Sequence, residues 1–198
     1  HSNVGEADPI SLSFAGDFAI SLWTRTTATS GNLVFRYECG GACPPGSDTF
    51  YGFSILGSGA PLFEIRSPTD GSGSVSSSMY INNNTWHHLL GQRQGARLII
   101  YVDGFLTANG SGPTGVLKDD DGNSDPLTIG SSRTAGGAGA PNSFFNGTID
   151  EVAVWNRSFS PTEVQDMYKR GHSNLSVQVR SCDDSSCSGE PFVGPDNT

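Results

Sequence analysis

No apolar run in the 198-residue chain approaches the length of a membrane-spanning helix, so helical insertion into a bilayer is not expected. Positive charge is scarce as well. Eleven Lys and Arg stand against 20 Asp and Glu, leaving a net charge of -9, and the cations are scattered along the chain. Without a basic stripe to neutralise phosphates, nucleic acid is not an expected partner. The same acidity would be repelled by anionic membranes and suits divalent cations and neutral glycans. Paired catalytic acids are also missing. Retaining glycoside hydrolysis needs two carboxyl groups about 5–5.5 Å apart, and no Glu-x-Asp-x-Glu spacing supplies them. Glu38, Glu64 and Glu163 stand alone, and Asp150 and Glu151 are adjacent, so on a regular strand they face opposite ways. His87 and His88 are separated in the same manner, with no Ser or Cys motif beside them. The chain is therefore not expected to be an enzyme.

What is present is short, alternating and punctuated by turns. The 26 Gly and 11 Pro suit a fold with many reversals. Phe18 to Trp23 alternates after Gly16-Asp17, and Leu33 to Tyr37 follows. Phe50–Leu56 and Pro61–Arg66 read as a hairpin around Gly57-Ser58-Gly59. Ser74 to Ile81 is a polar strand marked by Val75, Met79 and Ile81. Trp86–Gln92 and Arg97–Asp103 pair across Gln94-Gly95, and Asp103-Gly104 is a tight-turn signal leading into Phe105–Ala108. Leu127–Gly130 and Gly147–Trp155 close the set, with long polar loops at 109–125 and 131–142. Helical signals are confined to Pro161–Arg170: Ser160 caps it, Glu163 completes a Ser-x-x-Glu box and Gly171 stops it.

The run from Asn84-Thr85-Trp86-His87-His88 through Tyr101-Val102-Asp103-Gly104 to Gly147-Thr148-Ile149-Asp150-Glu151-Val152-Ala153-Val154-Trp155 resembles the laminin-G-like jelly rolls of the concanavalin A-like lectin/glucanase superfamily. The capped helix after Trp155 extends the likeness, which covers roughly Asp17 to Gly171. It implies an all-β fold, a two-sheet antiparallel jelly-roll sandwich with one short helix near the C-terminus. Residues 1–171 form that domain and 172–198 an extension. Two departures stand out. The chain starts too late to hold all of the family's first strand, which predicts an open edge. Beyond the helix, Leu175, Val177 and Val179 alternate on one face of a spare strand, able to fill such an edge in this chain or a neighbour, or to begin a further domain.

The resemblance also implies a structural calcium held by Asp150 with the segment Gly16-Asp17; the bland alternative is that Asp150 bonds backbone amides or an Arg. A second acidic loop offers Asp119, Asp121, Asn123 and Asp125, but Gly122 is misplaced for an EF-hand and Gly130 stands where the closing Glu belongs, so a solvated turn is favoured. Cys39 with Cys43, and Cys182 with Cys187, are read as two local disulfides in preference to a metal site. Sequons at Asn83, Asn109, Asn146, Asn156 and Asn174, together with the cysteines, argue for export. A chain opening on His1 without Met is expected to have lost a signal peptide or to be an excised piece. Trp23, Trp86 and Trp155 are read as core, whereas Tyr51, Phe53, Tyr80, Tyr101, Phe144 and Phe145 are candidates for a binding face. The expected role is a non-catalytic adhesion or glycan-binding module whose partners are glycans or cell-surface proteins. The alternatives are a filament subunit that self-associates by donor-strand exchange and an accessory domain of a glycoside hydrolase.

Overall fold

The computed structural model describes residues 2–4, 12–38, 49–117, 127–133 and 141–171. Two antiparallel sheets face each other. One has six strands in the order β1 (Ser2–Val4), β10 (Leu127–Ile129), β3 (Gly31–Glu38), β4 (Thr49–Ile55), β5 (Pro61–Ser67) and β6 (Gly71–Ser76). The other has five, in the order β13 (Gly147–Trp155), β2 (Phe18–Thr26), β7 (Trp86–Gln94), β8 (Arg97–Val102) and β9 (Phe105–Ser111). A small ribbon of β11 (Ser132–Arg133) and β12 (Pro141–Asn142) and one helix, α1 (Pro161–Gly171), complete the described elements. The jelly-roll sandwich inferred from the sequence is thus the observed architecture.

Alternation decides what lies between the sheets. Phe18, Ile20 and Leu22 of β2 and Leu98, Ile100 and Val102 of β8 meet Tyr51, Phe53, Phe63 and Ile65 of β4 and β5. Phe14 stacks on Phe18 with ring centroids 4.6 Å apart, and Tyr51 closes on both edge-to-face. Tyr51 and Phe53, proposed above for a binding face, are therefore buried, and Tyr101 is buried on the opposite side of its sheet. Only Tyr80 and Phe144 of that set are well exposed, with Phe145 half-buried.

β2 is buried on both faces because α1 covers its outer side. There Ala19, Leu90, Ile99, Tyr101, Phe159 and Val164 form a second, smaller core. The helix starts as its capping box predicts: the Ser160 amide donates to Glu163 Oε2 at 2.8 Å and the Glu163 amide to Ser160 Oγ at 3.3 Å. Gln92, buried on β7, locks the approach, donating to the Phe159 carbonyl at 3.0 Å and accepting from its amide at 2.8 Å.

Several expectations are corrected. β6 ends at Ser76, and the chain beyond is a loop stitched to β9 by Ser77 Oγ to Thr107 Oγ1 at 3.0 Å; Met79 is exposed and Ile81 buried. β9 runs to Ser111, so Asn109 lies in a strand and not in a long loop. Ser2–Val4 pair with β10 as the outermost described strand of the six-stranded sheet. Trp86 and Trp155 are 39% and 37% exposed while Trp23 is buried. Trp86 opens β7 ahead of the residues that pair with β8, and Trp155 ends a strand that among the described residues stands at the sheet edge, which leaves each partly exposed.

One end of the sandwich is gathered by Arg93, a fully buried cation on the inner face of β7. Its Nε donates to the Gly16 carbonyl at 2.9 Å, NH1 to Gly115 at 2.8 Å and NH2 to Phe14 at 3.2 Å, with a further bond from NH2 to Gly16. Burial lowers the Arg93 pKa, and Asp17 and Asp70 oppose that shift. Arg93→Met would leave the Gly16 and Gly115 carbonyls without their donor inside the fold. The expected loss of unfolding free energy is about 3 kcal/mol, read as a lower urea midpoint at unchanged m-value. A loss under about 1 kcal/mol would show that the clamp is dispensable.

Candidate functional site

The outer face of the five-stranded sheet alternates Ala19, Ser21 and Trp23 on β2 with His88, Leu90 and Gln92 on β7. α1 covers the Ala19–Leu90 end of this surface, and its C-terminus reaches Trp23. A Cβ on Gly171 would lie 2.5 Å from the Trp23 ring, so only glycine permits that approach. Between the helix end and β13 a cleft of about 500 Å³ stays open, lined among others by Ser21, Trp23, His88, Glu151, Trp155 and Arg170.

Each lining group has a local cause. β13 pairs Asp150 with Trp23 and Ala153 with Ser21, so two residues, Glu151 and Val152, oppose Leu22 in a bulge. Glu151 takes φ of +48°, a left-handed conformation that costs a non-glycine residue about 1–3 kcal/mol. Asp150 Oδ1 accepts its amide at 2.8 Å. The strict alternation expected to separate Asp150 from Glu151 is thus broken, and the bulge brings Glu151 to the cleft. Trp155 donates from its indole to Ser21 Oγ at 3.2 Å and rests on the Phe159 ring edge at 5.3 Å. Trp23 stacks on Tyr168 at 5.7 Å and adjoins His88 at 5.3 Å. His88 Nδ1 is sealed from solvent without a hydrogen-bond partner. Burial lowers the His88 pKa to about 4, against the opposing charge of Asp103, so the ring is neutral near pH 7.

His87 and His88 do face opposite sides, and Asp103 serves both. Its Oδ2 meets His87 Nδ1 at 2.7 Å, and its Oδ1 accepts the His88 amide at 2.9 Å. His87 Nε2 in turn lies 3.0 Å from Asn83 Oδ1 and 3.1 Å from Thr85 Oγ1. The sequon at Asn83 is therefore folded into a turn. Asn109 accepts from Arg97 at 2.9 Å, while Asn146 and Asn156 flank β13 on exposed turns.

The calcium set does not assemble. Asp150 stands opposite Trp23, six residues and about 20 Å along β2 from Asp17. Asp17 is already engaged, accepting the Gly95 amide and the Ser158 hydroxyl at 2.8 Å each, and the Gly16 carbonyl belongs to Arg93. These residues do not fit a shared ion. Among the described residues no group of three His, Cys, Asp or Glu is placed to hold a metal.

Other expected sites fall elsewhere in the chain. Cys39, Cys43, Cys182 and Cys187, expected to form two local disulfides, all lie outside the described residues. So do Asp119, Asp121, Asn123 and Asp125 of the acidic loop, the sequon at Asn174, and Leu175, Val177 and Val179 of the spare strand.

Burial raises the pKa of the Glu64 carboxyl, and a hydrogen bond from Ser54 opposes the shift. Its neighbours across the sheet are Gly52 and Ser74, neither of them an acid.

A profile of the Laminin_G_3 family, described as the concanavalin A-like lectin/glucanases superfamily, matches residues 2–165. The chain belongs to this family. Among solved structures the laminin-G-like domain is similar to domains LG4-5 of the mouse laminin alpha1 chain, with TM-score 0.58 and 15% identity. That match covers 82% of this chain and 41% of the laminin fragment. The native heptameric SAP-like pentraxin of Limulus polyphemus gives TM-score 0.58 at 13% identity, covering 98% and 90% of the two chains. A Ruminococcus gnavus IT-sialidase CBM40 bound to alpha2,3 sialyllactose gives 0.56 at 12%, covering 85% and 97%. At these identities the likeness is one of fold. A comparison with curated protein sequences finds no match.

The cleft is not legible in the sequence of this laminin-G-like domain, because alternation assigns Trp155 to a core and Glu151 to an uninformative position. The available signal is a helix ending on Gly171 beyond an apolar edge strand. The neutral, buried His88 has a measurable consequence. The unfolded chain takes up a proton near pH 6.5, before the folded one does near 4, so stability contributed above pH 6.5 is lost as pH falls through this window. The expected loss is roughly 3 kcal/mol by pH 4. Urea titrations at pH 7 and pH 4.5 measure it; a His88→Gln variant that keeps the full pH dependence would assign the effect elsewhere.

Proposed function

We propose that this domain is a non-catalytic extracellular binding module that takes glycans or cell-surface proteins. The observation that carries the reading is the cleft between β13 and α1. There a half-exposed Trp155, the Glu151 carboxylate and the Arg170 guanidinium border one open volume. An indole face offers an apolar platform to a sugar ring, and a carboxylate with a guanidinium offers acceptors and donors to its hydroxyls. A volume of about 500 Å³ is within the usual size of small-ligand sites.

Among the structural neighbours, the CBM40 is named for a bound sialyllactose, which supports the glycan reading. Glu64, the described carboxyl with a raised pKa, has no acid opposite it in the sheet, which is consistent with binding without hydrolysis. Secretion accords with the sequons and cysteines, and no helix among the described residues is long and apolar enough to cross a membrane.

A glycan array tests the proposal, with the unchanged protein beside Trp155→Ala and each sample with and without EDTA. Removing the indole is expected to weaken the bound glycan about tenfold or more. The EDTA arm is expected to match the untreated one, because the proposed contacts are made by Trp155, Glu151 and Arg170 themselves. Binding that survives Trp155→Ala would move the site away from the cleft, and silence on the whole array would favour protein partners over glycans.

A further inference from the structure

β13 hydrogen-bonds to β2 along one side only, and among the described residues its other side has no strand partner. Its inward residues Ile149, Val152 and Val154 pack on the main core yet stay only half-buried. An uncovered edge of this kind leaves backbone donors and acceptors and an apolar flank to water.

We propose that residues 174–180 of the same chain add as a strand along this free edge of β13. Three observations choose that occupant. The helix ends at Gly171 against Trp23, which stands directly opposite Asp150 of β13. From Gly171 to Leu175 the chain reaches up to about 14 Å, against about 10 Å for two strand spacings. The segment Asn174-Leu175-Ser176-Val177-Gln178-Val179-Arg180 alternates, so Leu175, Val177 and Val179 share one face that can cover Ile149, Val152 and Val154. Charge points the same way. The edge carries Asp150 and Glu151, whereas the segment has no carboxylate and ends on Arg180. A second copy of β13 laid against this edge would instead bring four acids together, and like charges across a strand pair repel.

Pairing within one chain has the further advantage of a short tether, which holds the segment beside its edge at high effective concentration. The inference is independent of the cleft's ligand, because it concerns the edge of β13 and not the outer face of the sheet.

Residue-resolved amide exchange on the full chain tests it. In the unchanged protein the β13 amides that point away from β2 are expected to be protected. In Val177→Asp/Val179→Asp they are expected to exchange about tenfold faster or more, while β8 in the sheet interior keeps its rates. Gln178→Pro, which removes a ladder donor without adding charge, is expected to act alike. Fast exchange along β13 in the unchanged protein, or equal rates in all three proteins, overturns the proposal. Protection that develops only as protein concentration rises, with a larger species in size exclusion, also overturns it by assigning the edge to a neighbour's segment.

Discussion

The buried guanidinium of Arg93 is the contact on which one end of the sandwich depends. It joins three stretches, the approach to β2 at Phe14 and Gly16, the segment at Gly115, and β7 itself, beside the backbone bridge between Phe14 and Leu117. Asp70 completes the arrangement from the other sheet, accepting the Thr114 amide at 2.6 Å and the Gly115 amide at 2.9 Å. Backbone carbonyls turned into a closed interior need donors, and a single side chain with five N–H groups can serve several at once. At Gly16 the donor that meets the carbonyl is the Arg93 guanidinium.

With that end fixed, the two sides of the five-stranded sheet do different work. The inner side is a close-packed aromatic and aliphatic core. The outer side is covered in part by α1, and beside the helix end a sheet residue such as Trp155 borders a cleft. The bulge at Glu151 matters for the same reason. It places a carboxylate at a surface where alternation continued from Asp150 would have placed Val152 and Val154.

Most of the sandwich can be read from residue patterns. Asp103-Gly104 marks a turn because both residues adopt positive φ there, and Ser160 with Glu163 marks a helix start because each bonds the other's amide. Alternation also separates His87 from His88 correctly. It fails where a second layer or an irregular step intervenes. A two-residue period cannot tell the inner face of a sheet from an outer face covered by a helix, so it offers Tyr51 and Tyr101 to solvent although both are buried. It carries no sign of a bulge either, and so treats Asp150 and Glu151 as regular strand residues. The apolar content of β13 suggests enclosure, but enclosure depends on which strand stands at the edge, and that is a property of the topology.

The existence of two cores implies two stabilities. Strands of the main sandwich share one extended interior, whereas α1 is held by a cluster of six buried residues that includes its own Val164, one capping box and the Gln92–Phe159 pair. Such a small unit can open by itself, at a free energy below that of global unfolding. The helix beside the cleft can therefore open ahead of the main sandwich. A ligand seated beneath it would tighten the helix while leaving the sandwich as rigid as before.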